Sequence, residues 1–479
     1  MTVKVVVLAL YALMIIIVGI VGLRKTRSSK DFLLGGGNIG PWMTAFSYGT
    51  AYFSAVLFIG FAGNIGWNFG LSGLWVAFFN AFIGVFVVWS LLGWKIKQAA
   101  LKYEVSTMSE FLEKRYDSST FKLLGSIVIF IFLIPYSAAV FMGLSYLFEI
   151  FLKVEFLWIL AAMGIFTASY IVLGGYKSMA LIDMIFGLIM TFCVILLFYF
   201  NVERGGGFVS ISDKLQAINP RLVSTVGPPG WWPLLSLVFL TSIAPFAMPQ
   251  LVQKFMAIRD HKSVKTGAIA STFFAVLIGG VAYFLGATTR IFISPETAPE
   301  IFINGVNYDL LMPELLNTVI PASLSVIILL LILSASMSTL ASLVLISSSS
   351  FTKDFWGGFI NKNMNDKKET AMMRYMSAFF VLLAVLFAAV QLDVIVEILG
   401  ISWGALGAFF LGPFVWGLLS KKVNKTGAFV SGIGGLCVCL ILYFSGMSSP
   451  EAGTIGMLTS LVLNPLVSVL SPIKQANHQ

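Results

Sequence analysis

The feature that most limits the fold of this chain is a series of apolar segments separated by short polar connections. Each segment holds roughly 20 residues, and a helix of that length spans the ~30 Å hydrocarbon core of a bilayer. Hydrophobic residues make up 58% of the 479 residues and charged residues only 11%, whereas about 25% of the residues in soluble proteins are charged. The sequence therefore predicts an all-α, polytopic membrane protein.

Thirteen such segments can be counted. They lie near residues 3–22, 43–66, 70–94, 121–151, 156–174, 179–200, 231–253, 266–289, 322–346, 371–391, 396–419, 426–445 and 452–471. A surface helix is expected to begin near Tyr308, with Pro321 separating it from the ninth segment. Because no polar connection is long enough for a soluble domain, residues 1–479 are predicted to form a single transmembrane domain.

The basic residues predict the sidedness of the chain. Alternate connections, with the residues adjoining them, hold all but six of the 30 Lys and Arg residues. The six exceptions are Lys4, Lys153, Arg204, Lys214, Arg221 and Arg290. By the positive-inside rule, the N-terminus is predicted outside and the C-terminus inside. Topology thus explains the net charge of +9, and the scattered basic residues do not predict a nucleic-acid partner.

The ninth apolar segment carries an unusual cluster of hydroxyl groups. Helical spacing places Ala335, Ser338, Thr339 and Ser342 on one face, because residues three, four and seven apart stack above one another. Lipid offers such hydroxyls no hydrogen-bond partner. They are therefore expected to face a neighbouring helix, a cavity or an ion.

Two segments contain residues that interrupt a helix. The second includes Gly49, Gly60 and Gly63, and the seventh includes Pro245 and Pro249. The two segments are five apart, and interrupted helices at matching positions of two halves indicate an inverted-repeat transporter with its site at mid-membrane. The alternative is a pair of ordinary kinks, since Gly and Pro are frequent in membrane helices.

Asp183 is the acidic residue placed most unusually, at the start of the sixth segment. A carboxylate inside an apolar span costs several kcal/mol unless it is paired, hydrated or bound to a cation. The alternative is that Asp183 only caps the sixth helix by accepting from free backbone N–H groups.

Five strings of the chain resemble the solute:sodium symporters, a family of bacterial proline, pantothenate, sialic acid and sugar symporters. They are DFLLGGGNIGPWMTAFS (31–47), GGYKSMALID (174–183), PQLVQKFMAIRD (249–260), SASMSTLASLVLISSSSFTKD (334–354) and SWGALGAFFLGP (402–413). The string at 249–260 is similar to the proline-type branch. The resemblance implies a leucine-transporter-like core of two inverted five-helix repeats, near 43–200 and 231–419. The accessory helices would lie near 3–22, 426–445 and 452–471.

The same resemblance implies a sodium site between the first broken helix and the hydroxyl-bearing helix. Its ligands would be the backbone carbonyls of Thr50, Phe53 and Ala335 and the side-chain oxygens of Ser338 and Thr339. Na⁺ needs several oxygens to replace its hydration shell, which such a set supplies.

Three further positions bear on the path and number of the ions. Asp183 matches a family aspartate on the ion pathway. A second sodium site of some members would fall at Ala341 and Ser342 here. Since Ala341 supplies no side-chain oxygen, Ser342 is expected only to pack, and one Na⁺ per cycle is favoured.

The resemblance also points to a solute cavity lined by Tyr52, Ser54, Tyr136, Thr241 and Trp403. Thr241 and Pro245 stand where the proline branch has tryptophan and tyrosine, so the solute is not fixed. Sugar-type polar residues are missing at Val56, Leu57 and Val76. For Tyr136 and Trp403 the alternative is packing or contact with lipid, since aromatic residues are common in membrane spans.

The sequence thus predicts sodium-coupled symport of a small polar organic solute, an amino acid or a carboxylate, by alternating access in the cell membrane. One alternative is a proton-coupled transporter of the same fold that uses Asp183, and another is a non-transporting solute sensor. An enzyme is not expected, because no nucleophile–base pair, metal cluster or phosphate loop is present. The expected partners are the solute and membrane lipid, with no obligate protein partner.

Overall fold

The computed structural model describes residues 2–25, 28–173 and 175–471. Residues 1, 26–27, 174 and 472–479 lie outside the described residues, and with them both chain ends used in the topology prediction. Within the described ranges the chain forms twenty α-helices and no β-strand.

The helices up to residue 218 are α1 (Thr2–Lys25), α2 (Ser29–Leu34), α3 (Pro41–Tyr52), α4 (Ala62–Phe69), α5 (Leu74–Phe79), α6 (Trp94–Tyr103), α7 (Met108–Tyr116), α8 (Ser119–Leu152), α9 (Phe156–Leu173), α10 (Tyr176–Gly205) and α11 (Gly207–Ile218). The later helices are α12 (Trp231–Ile243), α13 (Pro249–Ala257), α14 (His261–Phe292), α15 (Tyr308–Val319), α16 (Ser325–Ser349), α17 (Asp366–Val390), α18 (Ile395–Leu419), α19 (Lys425–Phe444) and α20 (Ser449–Leu470). Wider π-helical turns join several of them, at Val56–Phe61, Asn80–Val87, Trp89–Gly93 and Ser350–Ile360.

Ten helical stretches of the described residues are long and apolar enough to cross a membrane. Two shorter apolar helices, Val6–Ile20 and Phe156–Val172, lie in the first and fifth predicted segments. Helix occupies each of the thirteen predicted ranges as far as they are described. The polytopic all-α fold is confirmed, while thirteen crossings and their sidedness stay predictions.

Polar residues of the connections determine where many helices begin. A side-chain oxygen just before the helix accepts a hydrogen bond from a backbone N–H of the first turn, which has no partner within the helix. The residues that cap helices in this way are Ser28, Thr107, Ser118, Asp260, Asn365 and Asn424. Local sequence therefore marks these helix starts.

The second predicted segment is a broken helix and not an ordinary kink. Its first half, α3, begins with Pro41 at a position where a missing N–H costs nothing. The half ends at Tyr52, because Phe53 adopts φ −101° and ψ 89° and Ser54 is not helical. The Ser54 hydroxyl oxygen then accepts a hydrogen bond from the Val56 N–H at 3.2 Å, at the start of the second half.

The seventh predicted segment is broken in the same manner. After α12 the chain makes a single 3₁₀ turn at Ala244–Phe246, and Met248 is extended with φ −76° and ψ 119°. The second half, α13, begins at Pro249. Both broken helices open a set of five helices, as the inverted-repeat prediction requires, while the repeat boundaries at 43–200 and 231–419 stay predictions.

Helices α4 and α14 approach each other at backbone distance through a glycine pair. A Cβ atom on Gly66 would overlap the backbone of Gly286, and a Cβ atom on Gly286 would overlap the Ala62 carbonyl. Since backbone cannot yield as a flexible side chain can, both positions require glycine. The second half of the first broken helix is thereby held against α14.

We expect Gly286→Ala to lower the free energy of unfolding by about 1–3 kcal/mol, the usual cost of overpacking a core. Thermal unfolding of the purified protein in detergent measures the change. Gly280→Ala on the same helix is the matched control, because a Cβ atom there meets nothing within 4 Å, and alanine favours a helix by about 0.5–1 kcal/mol over glycine. A Gly286→Ala protein as stable as the Gly280→Ala protein would contradict the close approach.

The surface helix begins at Tyr308, as predicted. It is anchored by Asp309, a buried residue whose Oδ2 atom accepts a hydrogen bond from the Ile395 N–H at 3.0 Å. The Tyr308 carbonyl also packs closely against Gly63. Helix α15 is thus fastened both to α4 and to the first turn of α18.

Candidate functional site

The hydroxyl-bearing helix α16 is enclosed by protein. Its neighbours include α3, α8, α10 and α17, and Ser338, Thr339 and Ser342 are completely buried. The hydroxyls therefore face other helices and not lipid, which is one of the environments that their sequence position allowed.

Two of these hydroxyls meet the end of α3. The Thr50 Oγ1 and Ser338 Oγ atoms lie 2.7 Å apart, and the Thr50 hydroxyl donates to the Phe46 carbonyl at 2.8 Å. The Thr339 Oγ1 atom lies 3.0 Å from the Thr50 carbonyl oxygen and 3.1 Å from the Ala335 carbonyl oxygen. Four of the five predicted sodium ligands are thus brought together.

The fifth predicted ligand, Phe53, follows directly after α3. Its carbonyl takes part in none of the hydrogen bonds that join the cluster, and its ring packs on Tyr52 with 4.5 Å between centroids. Phe53 lines the neighbouring cavity.

The oxygen cluster suits a small cation. The Thr339 hydroxyl carries one proton but lies within hydrogen-bond distance of two carbonyl oxygens, so the cluster holds more acceptors than donors. The Thr50 carbonyl also belongs to the last turn of α3, where carbonyls lack helical partners and the helix dipole is negative. The residues therefore fit a Na⁺ ion, which would take the lone pairs that the protein leaves free.

Asp183 does not cap its helix. Helix α10 begins at Tyr176, so the carboxylate lies two turns inside and is completely buried. Its Oδ2 atom accepts a hydrogen bond from the Ser47 hydroxyl, while Oδ1 has no hydrogen-bond partner among the described residues. The Ser338 hydroxyl faces the same carboxylate, which places Asp183 next to the oxygen cluster.

Lys254 is a site residue that the sequence interpretation missed. The seventh segment was expected to end at residue 253, with Lys254 in the following connection, and this was wrong because α13 continues to Ala257. The side chain is completely buried. Its Nζ atom donates to the Ser342 hydroxyl at 2.9 Å and lies 3.9 Å from Asp183 Oδ2. Apolar residues on both sides of Lys254 were the available signal.

Ser342 has a larger part than packing. Besides accepting from Lys254, its hydroxyl donates to the Ser338 carbonyl at 3.2 Å. Ser342 therefore joins the buried ammonium to the helix turn that carries the oxygen cluster.

A central cavity adjoins the break in the first broken helix. The cavity is small, with a volume of about 30 Å³, and all five predicted solute residues line it, namely Tyr52, Ser54, Tyr136, Thr241 and Trp403. The sequence interpretation did not assign four further lining residues, which are Phe61, Asn80, Tyr283 and Leu399. Phe61 belongs to the same broken helix as Ser54, whereas distant segments contribute Asn80, Tyr283 and Leu399, and no pattern in the sequence marks those three.

Aromatic rings form the wall of this cavity. The Tyr52 and Trp403 rings stack with 5.8 Å between centroids and 15° between planes. Tyr136 meets Trp403 edge to face, with 5.8 Å between centroids. Tyr136 and Trp403 thus line the cavity and do not face lipid, while their contact with the solute stays a prediction.

The polar groups around the cavity differ in whether they already donate a hydrogen bond within the protein. The Tyr52 hydroxyl donates to the Thr241 carbonyl at 2.6 Å, and the Thr241 hydroxyl donates to the Leu237 carbonyl at 2.7 Å. Both hydroxyls are therefore occupied. Among the described residues, the buried Trp403 Nε1–H makes no hydrogen bond. The Tyr136 hydroxyl faces it, and a bound solute would compete with that hydroxyl.

Comparison with known proteins agrees with this geometry. The model of the sodium:solute symporter family matches residues 32–435. The osmoregulated proline transporter OpuE of Bacillus subtilis (strain 168) is 24% identical over 482 residues, covering 97% of this chain and 93% of that protein. The high-affinity proline transporter PutP of the same organism is 27% identical over 454 residues, covering 90% of each chain.

Solved structures share the fold. A Na⁺-coupled sialic acid symporter, in a substrate-bound outward-open state, superposes with a TM-score of 0.82 at 17% identity, covering 98% of both chains. MhsT in complex with L-phenylalanine gives a TM-score of 0.54 at 14% identity, covering 89% of this chain and 97% of that one. These likenesses confirm the leucine-transporter-like architecture.

The family consists of symporters, which agrees with the prediction of a multi-pass membrane transporter and not an enzyme. Since the family model spans most of the chain, the protein belongs to the sodium:solute symporter family.

Proposed function

We propose that this protein is a cell-membrane symporter that couples one Na⁺ to the uptake of a small zwitterionic amino acid with a compact apolar side chain. The observation that carries the proposal is the aromatic cavity, with no charged lining residue, at the break in a helix whose end also holds the oxygen cluster. Relatives named as proline transporters support the same solute class.

The lining of the cavity restricts the charge of the solute. A solute with net charge would find no counter-charge among the lining residues, and an unpaired buried charge is costly. A zwitterion is neutral overall and can use the two helix ends at the break. The carbonyl end of α3 favours its ammonium group, while the N–H groups that open the second half favour its carboxylate.

The same lining disfavours a sugar. Sites that select sugars provide hydrogen bonds to many hydroxyls, and buried hydroxyls without partners are costly. Here Val56, Leu57 and Phe61 occupy the second half of the broken helix. These side chains and the aromatic wall suit the apolar part of an amino acid.

Coupling between Na⁺ and solute binding follows because both proposed sites lie at the break in the first broken helix. Thr50 lies at the last turn of α3, and Ser54 follows immediately after the break. A Na⁺ ion bound between Thr50 and α16 would stabilise the conformation of the break that lines the cavity. If Na⁺ and the solute stabilise the same conformation, each raises the affinity of the protein for the other by an equal factor.

Uptake of radiolabelled proline into proteoliposomes tests the proposal. An inward Na⁺ gradient is expected to drive accumulation, while an equal K⁺ gradient is not, and unlabelled small amino acids should compete where glutamate and glucose do not. Uptake that follows pH and ignores Na⁺ would select the proton-coupled alternative at Asp183. Solute binding without any accumulation in the proteoliposomes would support the alternative of a non-transporting solute sensor.

A further inference from the structure

A lysine and an aspartate lie buried together beside the oxygen cluster, and the cluster itself does not use the lysine. Lys254 and Asp183 are both completely inaccessible to solvent, with 3.9 Å between Nζ and Oδ2. The Lys254 side chain belongs to the second half of the second broken helix, Asp183 to α10 and Ser342 to α16. One ammonium group therefore joins three helices.

The surroundings of this ammonium group are those of a bound cation. A hydroxyl oxygen lies at 2.9 Å, a carboxylate oxygen at 3.9 Å, and the face of the Tyr176 ring at 5.0 Å from its centroid. Oxygen ligands, a counter-charge and an aromatic face are the groups that stabilise cations in a dry site.

The carboxylate requires some cation at this place. Within the described ranges Asp183 Oδ1 has no hydrogen bond, and the charge of a buried carboxylate must be balanced for it to remain ionised. Ser47 supplies a hydrogen bond but no charge. Among the described residues, the Lys254 ammonium is the cation that forms an ion pair with Asp183.

We propose that the Lys254 ammonium group is a tethered substitute for a mobile cation, and that its removal creates a second Na⁺ site at Asp183 and Ser342. The inference rests on the proposed function, because it explains why the carrier couples to one Na⁺ and not two. The Ser342 hydroxyl, released from Lys254, would join the carboxylate as a ligand. The neighbouring Ser338 hydroxyl faces the same carboxylate.

Equilibrium binding of ²²Na⁺ to the purified protein, without any solute, tests this proposal. Wild-type protein is expected to bind one ion, and Lys254→Ala to bind two with a steeper dependence on sodium concentration. The double variant Lys254→Ala, Asp183→Asn is expected to return to one ion, because the new site needs the carboxylate. NaCl should also raise the melting temperature of Lys254→Ala more than choline chloride does.

Lys97→Ala is the matched control. Lys97 is also buried, but its Nζ atom donates to the carbonyls of Gly37 and Met256 and has no ion pair among the described residues. Its removal is expected to leave the ion count unchanged. If Lys254→Ala does not fold, Lys254→Met fills the same space without charge or hydrogen-bond donor, so Ser342 is still released and the same gain of one ion is expected.

Folded Lys254→Ala or Lys254→Met protein that binds no more Na⁺ than wild type would overturn the inference. A double variant that keeps the extra ion would overturn it too, since Asp183 would then not hold that ion. Failure of the proposed function looks different: wild-type protein would bind no Na⁺, whereas Lys254→Ala would still gain one ion relative to wild type.

Discussion

Thr339→Ala and Ser338→Ala are each expected to raise the Na⁺ concentration for half-maximal uptake by roughly tenfold or more. Each change removes a hydroxyl that lies within 3.0 Å of Thr50. An interaction with a charged partner is worth about 1.5–3 kcal/mol, and every 1.4 kcal/mol is about tenfold in affinity. The sodium dependence of proteoliposome uptake and direct ²²Na⁺ binding both measure the effect.

The matched control for these variants lies on the same helix. Ser336 is equally buried, but its hydroxyl donates to the Ile332 carbonyl of its own helix at 2.6 Å. Ser336→Ala should therefore leave the sodium dependence near that of wild type, and Thr339→Ser should restore much of what Thr339→Ala loses. If Ser338→Ala and Ser336→Ala shift the sodium dependence equally, Ser338 is not a ligand.

Trp403→Phe is expected to raise the KM for the amino acid by roughly tenfold while the sodium affinity changes little. The substitution keeps an aromatic ring against Tyr52 but removes the Nε1–H group, which makes no hydrogen bond in the described part of the chain. A hydrogen bond from that group to a carboxylate would be worth about 1.5–3 kcal/mol. Trp403→Leu removes both the donor and the stacked ring, so a larger loss is expected.

Initial rates of uptake over a range of solute concentrations measure this effect, and ²²Na⁺ binding shows whether the ion site is intact. Trp416→Phe is the control on the same helix, because its Nε1–H donates to the Leu461 carbonyl at 2.9 Å. An unchanged KM in Trp403→Phe would show that the indole N–H does not hold the solute. Equal losses of solute and sodium affinity would indicate that the substitution changes the conformation of the break in the first broken helix.

The oxygen cluster could be predicted from sequence because its chemistry is local. Ser338 and Thr339 sit in an apolar segment that offers hydroxyls no other partner, and the interrupted segment around Thr50 supplies free carbonyls. Each feature is visible within its own stretch of chain, whereas the pairing of Thr50 with Ser338, 288 positions away, was implied by the family resemblance. The same logic placed a break near Pro249, since proline acts on its own backbone. The break at Phe53 and Ser54 contains no glycine, and Gly49, Gly60 and Gly63 all lie within helical turns.

What the sequence could not show depends on contacts between distant segments. Lys254 was assigned to a connection because an isolated lysine is expected at a membrane surface, and only Asp183 and Ser342, far away in the chain, make its burial tolerable. Asn80 and Tyr283 reach the cavity through the packing of separate helices. Asp183 was ambiguous for the same reason, since its depth depends on where α10 begins.

The direct backbone contact between Gly66 and Gly286 restricts how the carrier can move. Two helices that touch without intervening side chains cannot slide or rotate past each other without losing that contact. Helices α4 and α14 should therefore move together as a rigid body. Bending must then occur where the chain is not helical, at Phe53 and Ser54. This break is also where Na⁺ and the solute are proposed to bind. The carrier therefore cannot bind or release either of them without a change in the backbone at Phe53 and Ser54.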